Sequence, residues 1–159
     1  MITELRRRDK AAIGWREIVS LPDLGIPSLG AKIDTGARTS ALHATAIRQL
    51  DRDGKHWVEF EIPASKLRPA QRCLAPLVDA RQIKNTGGVP ETRYVIETSL
   101  VLGKKRWKIE VSLADRENMT FDLILGRTAI RRRRLYVDPG RSFLAGPPGG
   151  ASQNLSLSA

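Results

Sequence analysis

From Arg106 to Leu113 every second residue is apolar: Trp107, Ile109, Val111 and Leu113 alternate with Arg106, Lys108, Glu110 and Ser112. A period of two belongs to a strand with one buried face, because successive side chains of an extended chain point to opposite sides. Gly103-Lys104 joins this run to residues 93–102, rich in β-branched and aromatic residues, and the pair predicts a hairpin. The same grammar recurs along the chain. Residues 13–20 and 29–34 read as strands on either side of the turn Leu21-Pro22-Asp23-Leu24-Gly25. Residues 40–47 alternate, and Asp51-Arg52-Asp53-Gly54 turns into the alternating run 56–62. A loop over 63–72 and a poorer strand over 73–83 lead to Gly87-Gly88. One short helix is expected at 128–133, and 135–138 is extended up to Pro139-Gly140. Many short strands with turn signals and no internal repeat predict an all-β domain. The expected limits are a basic arm over 1–12, one domain over 13–144 and a disordered Gly/Pro/Ser-rich tail over 145–159.

Chemistry concentrates at Ile33-Asp34-Thr35-Gly36-Ala37, where a strand ends in an aspartate, a small hydroxyl residue and a glycine. The Asp34 carboxylate can activate a water. Gly36 lets backbone N–H groups approach that carboxylate, and the Thr35 hydroxyl can bond a neighbouring backbone. The tripeptide alone recurs by chance, so a second feature matters: the segment Phe121-Asp122-Leu123-Ile124-Leu125-Gly126-Arg127 later in the chain.

Together these segments resemble retroviral-type, retropepsin-like aspartic peptidases, which pair Asp-Thr-Gly-Ala with an apolar-apolar-Gly-Arg segment packed beneath the active-site loop. Residues 83–89, tipped by Gly87-Gly88, sit where that family has its flap hairpin. The resemblance covers roughly residues 13–136. Residues 32–44, 115–119, 125–127 and 137–139 are similar to a bacterial branch that carries the label ATP-dependent zinc protease. The resemblance implies a closed β-barrel of the acid protease fold with a flap hairpin and one short helix. It implies Asp34 as the catalytic residue, with Thr35, Gly36, Ala37, Gly126 and Arg127 supporting it and Gly87 and Gly88 closing over substrate.

Aspartic peptidase chemistry uses two carboxylates sharing one proton, since neighbouring like charges resist joint ionisation. The chain holds one such motif, so the second Asp34 is expected from another copy across a two-fold axis. Arg38 departs from the retroviral pattern, which has an acid there to pair with the arginine after the later glycine. Either a substrate carboxylate meets Arg38 and Arg127, or Arg127 pairs with Asp115, Asp122 or Glu117 while Arg38 faces solvent. Neither half of the bacterial label finds its residues. His43 and His56 are the only histidines, in no His-Glu-x-x-His arrangement, and no phosphate-cradling glycine loop exists. No metal and no cofactor are therefore expected.

The formal net charge of +10, with clusters at Arg6-Arg7-Arg8 and at 131–134, attracts acidic partners without specifying them. Cys73, the single cysteine, excludes an intrachain disulfide framework, and no run of about 18 apolar residues predicts a membrane span. A cytoplasmic location and no membrane partner are the expectation. The bacterial relatives' association with ligases that add glutamate to protein tails suggests an endopeptidase trimming acidic tails. The alternative is a non-catalytic module of the same fold that uses its basic surface on the ribosome, RNA or acidic proteins.

Overall fold

The computed structural model describes residues 11–149, apart from 85–86 and 117–118. Arg6-Arg7-Arg8, Asn85-Thr86 of the hairpin tip, Glu117-Asn118 and the tail from residue 150 onward lie outside the described residues. The chain runs β1 (Ala12–Gly14), β2 (Arg16–Leu21), a 3-10 turn (Pro22–Leu24), β3 (Ile26–Asp34), β4 (Ser40–His43), β5 (Thr45–Arg52) and β6 (Lys55–Ile62). It continues through β7 (Gln71–Lys84), β8 (Pro90–Leu102), β9 (Lys105–Ala114), β10 (Leu123–Gly126), α1 (Arg127–Arg132) and β11 (Tyr136–Asp138).

Six strands close into a barrel in the order β2-β3-β10-β4-β9-β8, and the pairing of Ser20 with Val101 returns β8 to β2. From β8 the sheet continues outward through β7, β6 and β5. The alternation in β9 is realised: Trp107, Ile109, Val111 and Leu113 are buried in one core with Leu29, Leu42, Ile96 and Leu123. Burying each such side chain contributes about 1.5–3 kcal/mol. Gly103, at φ 59, makes the β8–β9 turn, while Asp53 and Gly54 both take positive φ (53° and 75°) between β5 and β6. Two successive left-handed residues give the tight turn whose twist matches a hairpin.

Two expected strands are each broken in two. The first breaks at Trp15, whose N–H donates to Arg141 O (2.9 Å) while its own carbonyl accepts from Ile33 N (2.8 Å). β1 is thereby freed from the barrel and pairs in parallel with β11. The second breaks at Ala44, which donates to Ala114 O at 3.1 Å. Beyond it Ala46 takes φ 51 and the register shifts between Thr45 and Arg48, so β5 leaves the barrel to pair with β6. A bulge redirects a strand in this way at the cost of an unpaired residue.

Glu17 is fully buried and anchors both ends of the domain. Its Oε2 accepts from Gly14 N (2.6 Å) and Leu144 N (2.9 Å), and its Oε1 from Ala145 N (3.2 Å). Phe143 N donates to Arg16 O (3.0 Å), and the Arg16 guanidinium lies 4.8 Å from the Trp15 ring and 5.1 Å from that of Phe143. Gly149 N reaches Gly103 O at 2.8 Å. Residues 145–149, assigned to the tail on composition, are thus held against the barrel by backbone bonds that composition does not reveal. A buried Arg68 fastens the 63–70 loop, donating to Pro63 O (2.9 Å), Pro69 O (3.2 Å) and Asp122 Oδ2 (3.1 Å).

Candidate active site

β3 ends at Asp34, and the following loop climbs over β10 before β4 begins. β10 lies between the two: parallel to β3, with Asp34 opposite Gly126, and antiparallel to β4, with Ile124 opposite Ala41. The loop of residues 35–39 therefore rests on the end of β10. A Cβ on Gly126 would stand 2.6 Å from both the carbonyl carbon and the oxygen of Thr39, so only glycine fits under the loop. Gly126 N donates to Ser40 Oγ (3.0 Å), Arg127 N to Ala37 O (2.8 Å), and Thr128 Oγ1 to Arg38 O (2.7 Å). Each loop carbonyl bonded from α1 removes a degree of freedom from the aspartate.

The half-buried Asp34 carboxylate is fixed through one oxygen. Oδ1 accepts from Gly36 N (3.0 Å) and Ala37 N (3.2 Å), while Oδ2 has no hydrogen bond among the described residues. A carboxylate held rigidly by one oxygen and open at the other can take a proton from a bound water. Gly36 serves as the motif suggests, since its N–H reaches the carboxylate directly. Thr35 does not: it is exposed, and its hydroxyl bonds no described group, although its carbonyl lies 3.5 Å from Arg127 Nη1.

Among the described residues Arg127 pairs with neither Asp115 nor Asp122, and Glu117 lies outside them. Its Nη1 donates to Gly36 O at 3.1 Å, so its guanidinium braces the loop backbone instead of an acid. Asp122 is engaged by Arg68. Arg38 is exposed and forms no ion pair among the described residues. The contact in which the retroviral pattern uses an acid–arginine pair is met here by an arginine–carbonyl bond.

The β7–β8 hairpin extends from Leu77 opposite Ile96 to Lys84 opposite Pro90. At its tip Gly88 takes φ 77 in open space, while Gly87 belongs to the same turn. Its stem adjoins the loop: Arg81 and Arg93 line a cavity of about 150 Å³ with Thr39, Val95, Glu110 and Ser112. Ser40, Ser112 and the two hairpin arginines were not singled out in the sequence. The sequence carried no signal for the serines, since Ser112 falls among the polar alternates of its strand; both are buried, and Ser112 Oγ donates to Ser40 O (3.2 Å) behind the loop.

The histidines have structural surroundings. His43 Nδ1 accepts from Arg116 N (3.1 Å) beside Ala114 O, and His56 is bonded to Asp51 at 2.6 Å on an exposed hairpin. Among the described residues no three His, Cys, Asp or Glu side chains gather into a metal-binding set.

Residues 12–148 match the family described as RimB-like, retropepsin-like aspartic endopeptidase RimB. The chain is 46% identical over 132 residues to a probable alpha-L-glutamate ligase of Desulfotalea psychrophila, covering 82% of this chain and 28% of that protein. It is 41% identical over 143 residues to a protein of the same description from Shewanella pealeana, covering 89% and 31%. The chain thus spans less than a third of the length of these relatives. The crystal structure of Lpg0085 from Legionella pneumophila, a protein of unknown function, is similar with a TM-score of 0.73 and 29% identity, covering 85% of this chain and 98% of that one. With its barrel, its braced Asp34 loop and a match over nearly the whole described domain, the chain belongs to the RimB-like family of retropepsin-like aspartic endopeptidases.

Proposed function

We propose that this protein is an aspartic endopeptidase whose working unit is a homodimer, with one Asp34 from each copy. The observation that carries the reading is the Asp34 carboxylate, pinned through Oδ1 by two backbone N–H groups and open at Oδ2. The Asp-Thr-Gly motif occurs once in the chain, so a second copy would supply the second Asp34. Asp122 is held by Arg68, and Asp138 bonds Gly140 N at 3.0 Å.

Two Asp34 side chains brought together would hold one proton between them. The ionised carboxylate takes a proton from water as the oxygen attacks the peptide carbonyl, and the protonated one donates a hydrogen bond to the carbonyl oxygen. Collapse of the tetrahedral intermediate breaks the C–N bond, and the leaving amine carries away a proton from the dyad. Thr35 is exposed at the same loop and so is open to contact from a second copy. The hairpin with Gly87 and Gly88 closes the groove from above.

The substrate reading is a glutamate-rich tail. It is supported by the +10 charge, by an exposed Arg38 with no ion pair among the described residues, and by relatives named as glutamate ligases in which this domain is a minor part. Those names also favour a second reading, in which the domain binds glutamate tails without cutting them. Asp34→Asn separates the two, because it removes the ionisable group at constant size. Hydrolysis should disappear in the variant and survive a chelator in the wild type. Hydrolysis that persists in Asp34→Asn and stops in chelator would overturn the proposal.

A further inference from the structure

Arg81 and Arg93 face each other across the β7–β8 hairpin as directly paired residues. Like charges at that position repel, and a sheet keeps them only where something compensates. Part of the compensation is internal: Arg81 Nε bonds Asp79 at 2.6 Å, and Arg93 Nη2 bonds Glu91 at 3.0 Å. The rest is not. Both arginines line the same cavity, which holds one acid, Glu110, against their two positive charges. The Arg93 Nε–H is buried and has no acceptor among the described residues. A desolvated guanidinium donor without a partner costs free energy that an incoming acceptor recovers.

Thr39 ties this cavity to the loop that carries Asp34. Its volume of about 150 Å³ suits one side chain, being the size that holds a single benzene ring in an engineered protein cavity. We infer that it is an anion subsite taking the side-chain carboxylate of an acidic residue in a bound peptide, with Arg93 as the principal partner and Arg81 as the second. The inference rests on the reading of loop and hairpin as walls of a peptide groove. It assigns specificity to residues that the Asp-Thr-Gly signature does not include. Glu110, on the same wall, limits the subsite to a single anionic group by repelling a second.

The test uses Asp34→Asn protein, so that binding is read without cleavage, and two fluorescent peptides that differ by Glu or Gln at each position in turn. One Glu position should bind at least about tenfold more tightly than its Gln counterpart, since a hydrogen bond to a charged group is worth about 1.4 kcal/mol or more. Arg93→Gln should erase that preference while leaving the Gln peptide's affinity unchanged, and Arg93→Lys should restore part of it. Should Arg93→Gln fail to fold, Arg81→Gln reads the same preference from a side chain that is already half exposed. A preference that survives both Gln variants, or equal losses for both peptides, overturns the subsite. Wild type that binds with this preference but cuts nothing supports the subsite and sinks the peptidase reading. Equal cutting of Glu and Gln peptides sinks the subsite and leaves the peptidase.

Discussion

Replacing Glu17 tests whether one buried carboxylate holds the two ends of the domain together. Glu17→Ala removes the acceptor of Gly14 N, Leu144 N and Ala145 N at once. An orphaned buried donor costs about 1–3 kcal/mol, but only the Gly14 bond is fully buried, and water can reach the other two. With the cavity left by the side chain, the expected loss is about 3–5 kcal/mol, a large part of a typical domain's stability. Glu17→Gln keeps the shape and one carbonyl acceptor but turns an amide donor toward backbone donors, for about 1.5–3 kcal/mol. In a domain of this size the Ala variant should melt about 6–20 °C lower. Urea titrations followed by tryptophan fluorescence would give both values, and hydrogen exchange at Gly14 and Leu144 would localise them. A Gln variant within about 0.5 kcal/mol of wild type would refute the anchor, because that is the ordinary range of a neutral surface change.

Gly126→Ala should abolish peptide hydrolysis and lower stability by about 1–3 kcal/mol, since the new methyl meets the Thr39 backbone at 2.6 Å; full activity in that variant would mean the loop is not braced there. Asp23 is held below its ordinary value of 3.8 by the Ser99 hydroxyl and then by the Ser99 N–H, with Arg106 and Lys108 adding to the effect. Its contribution to stability is therefore complete above that value and lost as the pH falls through the lower folded one, so the denaturation midpoints of wild type and Asp23→Asn should converge below about pH 4; parallel curves would contradict this. Burial pushes the Cys73 thiol up to about 11, which leaves about one thiolate per thousand molecules at pH 8. Iodoacetamide should modify it only after denaturant is added, as mass spectrometry would show.

The parts of this structure that were legible beforehand are those governed by local rules. Strict alternation in β9 announced its buried face, and Asp51-Arg52-Asp53-Gly54 announced a turn that the structure tightens to Asp53 and Gly54. The motif pair at Asp34 and Gly126 announced the family, and the two residues do sit opposite one another. What escaped depends on contacts between distant segments. Trp15 reads as mid-strand until residue 141 arrives to take its N–H. Glu17 is a charged residue in a run read only as a strand, and the donors that let it be buried include those of a strap more than 120 positions later. The Arg127 partner was sought among acids because charges suggest ion pairs, whereas the acceptors found for it among the described residues are carbonyls of the adjacent turn. Arg81 and Arg93 are ordinary surface arginines by sequence and meet only through the hairpin register.

The strand threaded between β3 and β4 has a consequence for the protein's synthesis. Residue 34 leaves the ribosome long before residues 123–128, which supply the floor and the ties of its loop. Contacts this remote in sequence form late, because a long loop must close before they contribute anything. A growing chain therefore carries the aspartate without the support that orients it. The Asp34 loop takes its braced form only once residues 123–128 have emerged and docked beneath it.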